Sequence, residues 1–138
     1  MRHLLNGCFA ALLSSAPLAV HASDVYDCTI RQDAANGNWI ASQIIADYDA
    51  AKGEVVIFDP IIKHFAGAPL AGKVEAANDK RLTFTWRLND AESRVGEDVN
   101  FIYRLTIIKK NNNASVVAQA LNYAGPFSAS GKCKLVSK

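Results

Sequence analysis

The chain has 138 residues, half of them apolar and one-fifth charged, with 15 Lys and Arg against 13 Asp and Glu for a net charge of +2. So small an imbalance lacks the basic stripe that DNA binding needs, which argues against nucleic acid as a partner. Beyond the N-terminus no run approaches the roughly eighteen apolar residues of a membrane-spanning helix, so an integral membrane protein is not expected.

Met1-Arg2-His3 is a short basic start. Leu4 to Ala16 is mostly apolar, broken by Asn6, Gly7, Ser14 and Ser15, and Val20-His21-Ala22 has the small-x-small form of a cleavage site. Residues 1–22 therefore read as a cleaved signal peptide and 23–138 as one exported domain, periplasmic or secreted. Leu5-Asn6-Gly7-Cys8 approximates a lipoprotein box, but the two leucines before it are too few for an apolar leader core. Cys8 leaves with the leader, so Cys28 and Cys133 remain, and two cysteines in an oxidising compartment pair. A catalytic pair is more often C-x-x-C. The bridge is read as a structural clasp, and closing a loop of about 100 residues is worth roughly 4–5 kcal/mol.

The dominant period in the mature chain is two. Tyr26, Cys28 and Ile30 alternate with Asp27, Thr29 and Arg31. Ile44–Tyr48 and Glu54–Phe58 read as a hairpin around Lys52-Gly53, and Asp59-Pro60 ends its second strand because Pro cannot donate to a ladder. Trp39 to Asp47 also fits a short helix, but Ile40, Ile44 and Ile45 are β-branched and favour an extended chain. Lys63 to Gly72, with His64, Phe65, Gly67 and Pro69, reads as an irregular loop over a barrel mouth or sheet edge. The clearest strand places Leu82, Phe84, Trp86 and Leu88 on one face. Val99, Phe101, Tyr103, Leu105 and Ile107 make the next apolar face, then Val116, Ala118 and Ala120, then Phe127, Ala129, Gly131, Cys133 and Leu135. Asn36-Gly37, Asn78-Asp79-Lys80, Asn111-Asn112-Asn113 and Gly125-Pro126 supply turns.

Cys28 and Cys133 lie on the apolar faces of the first and last strands. A disulfide needs Cα atoms within roughly 7 Å, so these strands are neighbours or face each other across a sandwich. The fold class is all-β: a small antiparallel barrel or sandwich of seven or eight strands, its ends joined by Cys28–Cys133. Closure would also remove free edges.

His64 is the sole mature histidine, which excludes a His-rich metal site and leaves one candidate base for a Ser-His-Asp triad. Nucleophile-elbow, zincin, P-loop and Rossmann motifs are absent, so no catalytic residue, metal or cofactor is assigned. Asp47 and Asp49, with Asp59 across the hairpin, are the one carboxylate group suited to acid–base work or calcium. The stretch from Asp47 fails the EF-hand pattern, with Ala51 and Lys52 where an oxygen ligand and Gly belong, and solvent-face and turn aspartates are the simpler account. Glu92, Glu97 and Asp98 around Arg94 read as solvated charge. Lys109-Lys110 with Lys132, Lys134 and Lys138 form a basic patch for an anionic partner if the last strand lies beside that hairpin. The competing account is edge-strand lysines that guard against aggregation. The aromatic residues are expected in the core, or lining a ligand cavity if the barrel is hollow.

The pattern resembles small bacterial periplasmic β-proteins with a Cys near each mature end. Ser128-Ala129-Ser130-Gly131 is also similar to the S-A-S-G stretch of the periplasmic c-type lysozyme inhibitor family. That resemblance implies a small disulfide-linked β-barrel and a lysozyme partner, with Ser128, Ser130 and Lys132 as partner-binding residues. Lys132 and Cys133 stand where the family places a Tyr, which departs from its pattern. Three functions follow, in this order: a non-enzymatic envelope module binding a small apolar ligand or envelope component, a protein-directed inhibitor of the lysozyme-inhibitor type, and a small hydrolase on Asp47, Asp59 or His64.

Overall fold

The computed structural model describes residues 15–17 and 22–137. The expected leader, apart from residues 15–17 and 22, lies outside the described residues. Eight antiparallel strands form one closed barrel in chain order. They are β1 (Asp24–Ile30), β2 (Gln43–Asp49), β3 (Glu54–Phe58), β4 (Leu70–Ala77), β5 (Arg81–Glu92), β6 (Asp98–Ile108), β7 (Asn113–Ala120) and β8 (Phe127–Ser137). A short helix, α1 (Pro60–Phe65), lies between β3 and β4.

Alternation in the sequence becomes inside and outside. Leu82, Phe84, Trp86 and Leu88 of β5, with Phe101, Tyr103, Leu105 and Ile107 of β6, are all buried. Polar side chains face out, the reverse of a barrel that crosses a membrane. Eight strands enclose a space just wide enough for side chains to fill, and here they fill it. Bulk on β6 meets small residues on β7: Tyr103 pairs with Ala118, Phe101 with Ala120 and Ile107 with Ala114. The Trp86 and Tyr103 rings stack 5.2 Å apart and 3° from parallel. The cavity considered for a hollow barrel is thus occupied by its own aromatics.

Closure joins β1 to β8 with Cys28 opposite Cys133, the two bridged and their Cα atoms 3.8 Å apart. Gln43–Asp49 is extended, as the β-branched residues favour, while Trp39–Ser42 has no regular structure.

Two expectations are corrected. The stretch read as irregular from Lys63 to Gly72 holds the end of α1 and the start of β4. Asp59-Pro60 does end β3, but it also starts a helix: Asp59 accepts a 2.7 Å hydrogen bond from Ile62 N as N-cap, and Pro60 occupies the first turn. Not every aromatic is core either. Tyr123 is 50% exposed, and Trp39 is half-buried at one end of the barrel.

Candidate functional site

All the long connections lie at one end of the barrel. They are residues 31–42 between β1 and β2, α1 with its link to β4, the β5–β6 turn and the β7–β8 loop. The other end has the short turns after β2, β4 and β6. Loops that a rigid scaffold holds together are where binding groups concentrate, so this end is the barrel's mouth.

Trp39 sits at the centre of the mouth, and local chemistry places it there. Asp33 accepts from Ala35 N at 2.9 Å and starts a single 3-10 turn, Ala34–Asn36. Gly37 and Asn38 follow with φ of 59° and 62°, and Trp39 N closes the turn on Asn36 O at 3.0 Å. Asn-Gly supplies these left-handed residues at low cost. Buried Asn36 is satisfied on both sides: it donates to Gln32 Oε1 at 3.0 Å and accepts from Asn38 N at 2.8 Å. From inside the barrel, Tyr103 donates its hydroxyl to the Trp39 carbonyl at 2.7 Å. Burial pushes the Tyr103 phenol far above its ordinary range, with the Asp59 carboxylate adding to the shift, so it keeps the proton it donates.

The Trp39 ring contacts aromatics on both sides, 4.6 Å from Phe101 and 6.0 Å from Phe65 between centroids. Beside it is a groove of about 270 Å³, lined mainly by Trp39, Val95, Val99, Phe101, Tyr123 and Phe127. Tyr123 donates to Glu97 Oε2 at 2.8 Å, tying the β7–β8 loop to the β5–β6 turn across the rim. That hydrogen bond to a carboxylate is the main reason the Tyr123 phenol titrates above its usual value. Gly37 packs against the Phe127 ring so closely that a Cβ there would overlap it. A second recess of about 460 Å³ lies on the other side of Trp39, among Gly37, Phe65, Ser93 and Arg94.

The residues suggested by sequence lie elsewhere. Ser128, Ser130 and Lys132 face outward from β8, opposite Val117, Ser115 and Asn113. They form part of the barrel wall, not a protruding loop, and Arg31 donates to Ser130 Oγ at 2.7 Å. Asp47 is exposed on β2 opposite Val56, Asp49 accepts from Lys52 N in the next turn, and Asp59 is buried as the α1 cap. His64 is exposed, edge-on to Phe65. The structure does not gather these carboxylates with His64, and no cluster of three His, Cys, Asp or Glu suited to a metal occurs among the described residues. Sequence reasoning set Lys63 to Gly72 over a barrel mouth or sheet edge, and α1 with its link to β4 does lie at the mouth, but the aromatic groove was missed. Its one readable signal was Trp39 after an Asn-Gly turn, whereas its other walls come from segments far apart in the chain.

Fold and site together define a closed, side-chain-filled barrel with an aromatic groove at its loop-bearing end. No family model, curated protein or solved structure matches the chain.

Proposed function

We propose that the protein is an exported, non-enzymatic binding module of the bacterial envelope that takes its ligand at the mouth, not inside the barrel. One observation carries this reading: Trp39, Phe101, Phe127 and Tyr123 form an open apolar groove at the end that holds the long loops. At about 270 Å³ the groove falls just below the roughly 300–1,000 Å³ of drug-sized pockets. It suits a single ring, a short alkyl chain, or one apolar group of a larger envelope component.

The test is titration with a neutral apolar dye, N-phenyl-1-naphthylamine, followed by dye emission and by quenching of Trp39. Saturable binding at one site is expected, lost in Val95→Glu and Ala124→Glu, which place a charge on the groove wall without touching the core. Dye uptake that both variants leave intact would refute the mouth as the site. A protein-directed inhibitor would instead present Ser128, Ser130 and Lys132 from the β8 wall, and inhibition of a c-type lysozyme by the same preparation would bring that reading forward.

A further inference from the structure

We propose that the end of the barrel opposite the mouth docks on an anionic lipid bilayer. The sequence allowed two accounts of the lysines near residues 109 and 132: a basic patch, or guards on an exposed sheet edge. The barrel is closed, so there is no edge to guard.

The fold assembles the patch from three segments. Lys109 N donates to Lys80 O at 2.9 Å, which brings the β6–β7 turn against the β4–β5 turn. Arg81 pairs with Ile108 on the adjoining strands. Lys132 pairs with Asn113, and Cys133 N donates to Asn112 O at 2.9 Å, so β8 runs along the same turn. Lys80, Arg81, Lys109, Lys110 and Lys132 thus converge, all exposed. Asp79 is the carboxylate among them, and the one ion pair found among the described residues, Lys73–Glu75, lies elsewhere. Asp24, Asp49 and Glu54 also lie at this end, but on its β1–β2–β3 side, whereas from Val99 to the C-terminus the sequence has no Asp or Glu, so the docking face is the side formed by the β4–β5 turn, the β6–β7 turn and β8.

Basic residues grouped this way are drawn to the negative surface of an anionic leaflet. Ile108, Leu135 and Val136 are 38%, 40% and 49% exposed on the strands of the same region. Aliphatic side chains beside cations suit the headgroup–acyl boundary and gain nothing against a hydrated polyanion. In this orientation the mouth faces away from the membrane, and the proposal does not depend on what the mouth binds.

The experiment is co-sedimentation of the protein, produced from its full sequence, with vesicles of phosphatidylcholine alone or mixed equally with phosphatidylglycerol. Binding is expected on the anionic vesicles only, and lost at about 1 M salt, where screening acts within about 3 Å. At about fivefold per lysine, Lys109→Gln with Lys110→Gln should weaken binding about twenty-five-fold. Lys63→Gln with Arg87→Gln removes equal charge far from this end and should change it less than about twofold. Equal loss in both pairs would mean that net charge alone matters and would overturn the proposal. Equal binding to neutral vesicles would overturn it, as would no binding to anionic ones at low salt. Capture on polyphosphate beads without capture on vesicles would overturn it in favour of a dissolved polyanion.

Discussion

A Cβ at Gly131 would fall against the carbonyl oxygen of Thr29 and within 2.9 Å of Ile30 Cα. Both are backbone atoms of β1, so no side chain can swing aside. Gly131 stands two residues before Cys133, and its hydrogen atom in place of a methyl lets β8 come close enough to β1 for the bridge to form there. Gly131→Ala should separate the two strands and destabilise the protein by about 2–3 kcal/mol, in the range of overpacked interiors. Urea unfolding of the oxidised variant checks this, and a loss under about 0.5 kcal/mol, the size of an ordinary surface change, would mean that β1 yields freely. Alternation marked Gly131 as inward-facing from the sequence. That it must be Gly was not legible, because the constraint comes from Thr29 and Ile30 on another strand. The same holds for Tyr103, whose acceptor is a carbonyl 64 positions away.

At the scale of elements, strands with unbroken alternation were readable, while one strand and the helix were not. β4 reads Leu-Ala-Gly-Lys-Val-Glu-Ala-Ala, its small residues give little contrast, and a bulge between Val74 and Ala76 breaks the period of two. α1 was hidden because six residues are too few to show a helical period and its start signal doubles as a strand stop. Asp59, which starts it, is 4% exposed, and burial raises its carboxyl above the ordinary value of 3.8 despite offsetting N–H groups of Ile62 and Ile61. The folded state therefore binds this proton more tightly than the unfolded chain. The contribution of Asp59 to stability is most favourable below the ordinary value and diminishes as pH rises through the window up to the raised one. Asn keeps the capping oxygen without the charge. Asp59→Asn should thus be more stable than the parent at about pH 7, with the gain gone by about pH 3. Thermal melts at both pH values decide it, and a difference that does not change with pH would assign the effect to packing.

For the whole molecule, two inward cysteines on the terminal strands required joined ends in a barrel or a sandwich, but neither the choice of a closed barrel nor its filling was legible. Filling depends on which large residue meets which small one across the sheet, as Tyr103 meets Ala118, and pairing register is set by every turn together. The groove at the mouth was hidden for a similar reason, since Trp39, Phe101, Tyr123 and Phe127 come from three separate parts of the chain. The bridge acts at this scale too, across a separation of 105 residues. Backbone pairing already joins β1 to β8 from Val25 to Ile30, so the native ladder gains little new contact from the bond. What the bond removes is freedom of the unfolded chain, worth about 4–5 kcal/mol for a loop of this length. Domains of this kind have only about 5–15 kcal/mol in total. A Cys28→Ala, Cys133→Ala chain should therefore still close its barrel, with β1 and β8 amides protected from hydrogen exchange, yet unfold in urea with a stability lower by about 4 kcal/mol. If those amides exchanged at once while β5 and β6 stayed protected, the bridge would be what holds the seam shut, and the backbone pairing of β1 with β8 would be its consequence.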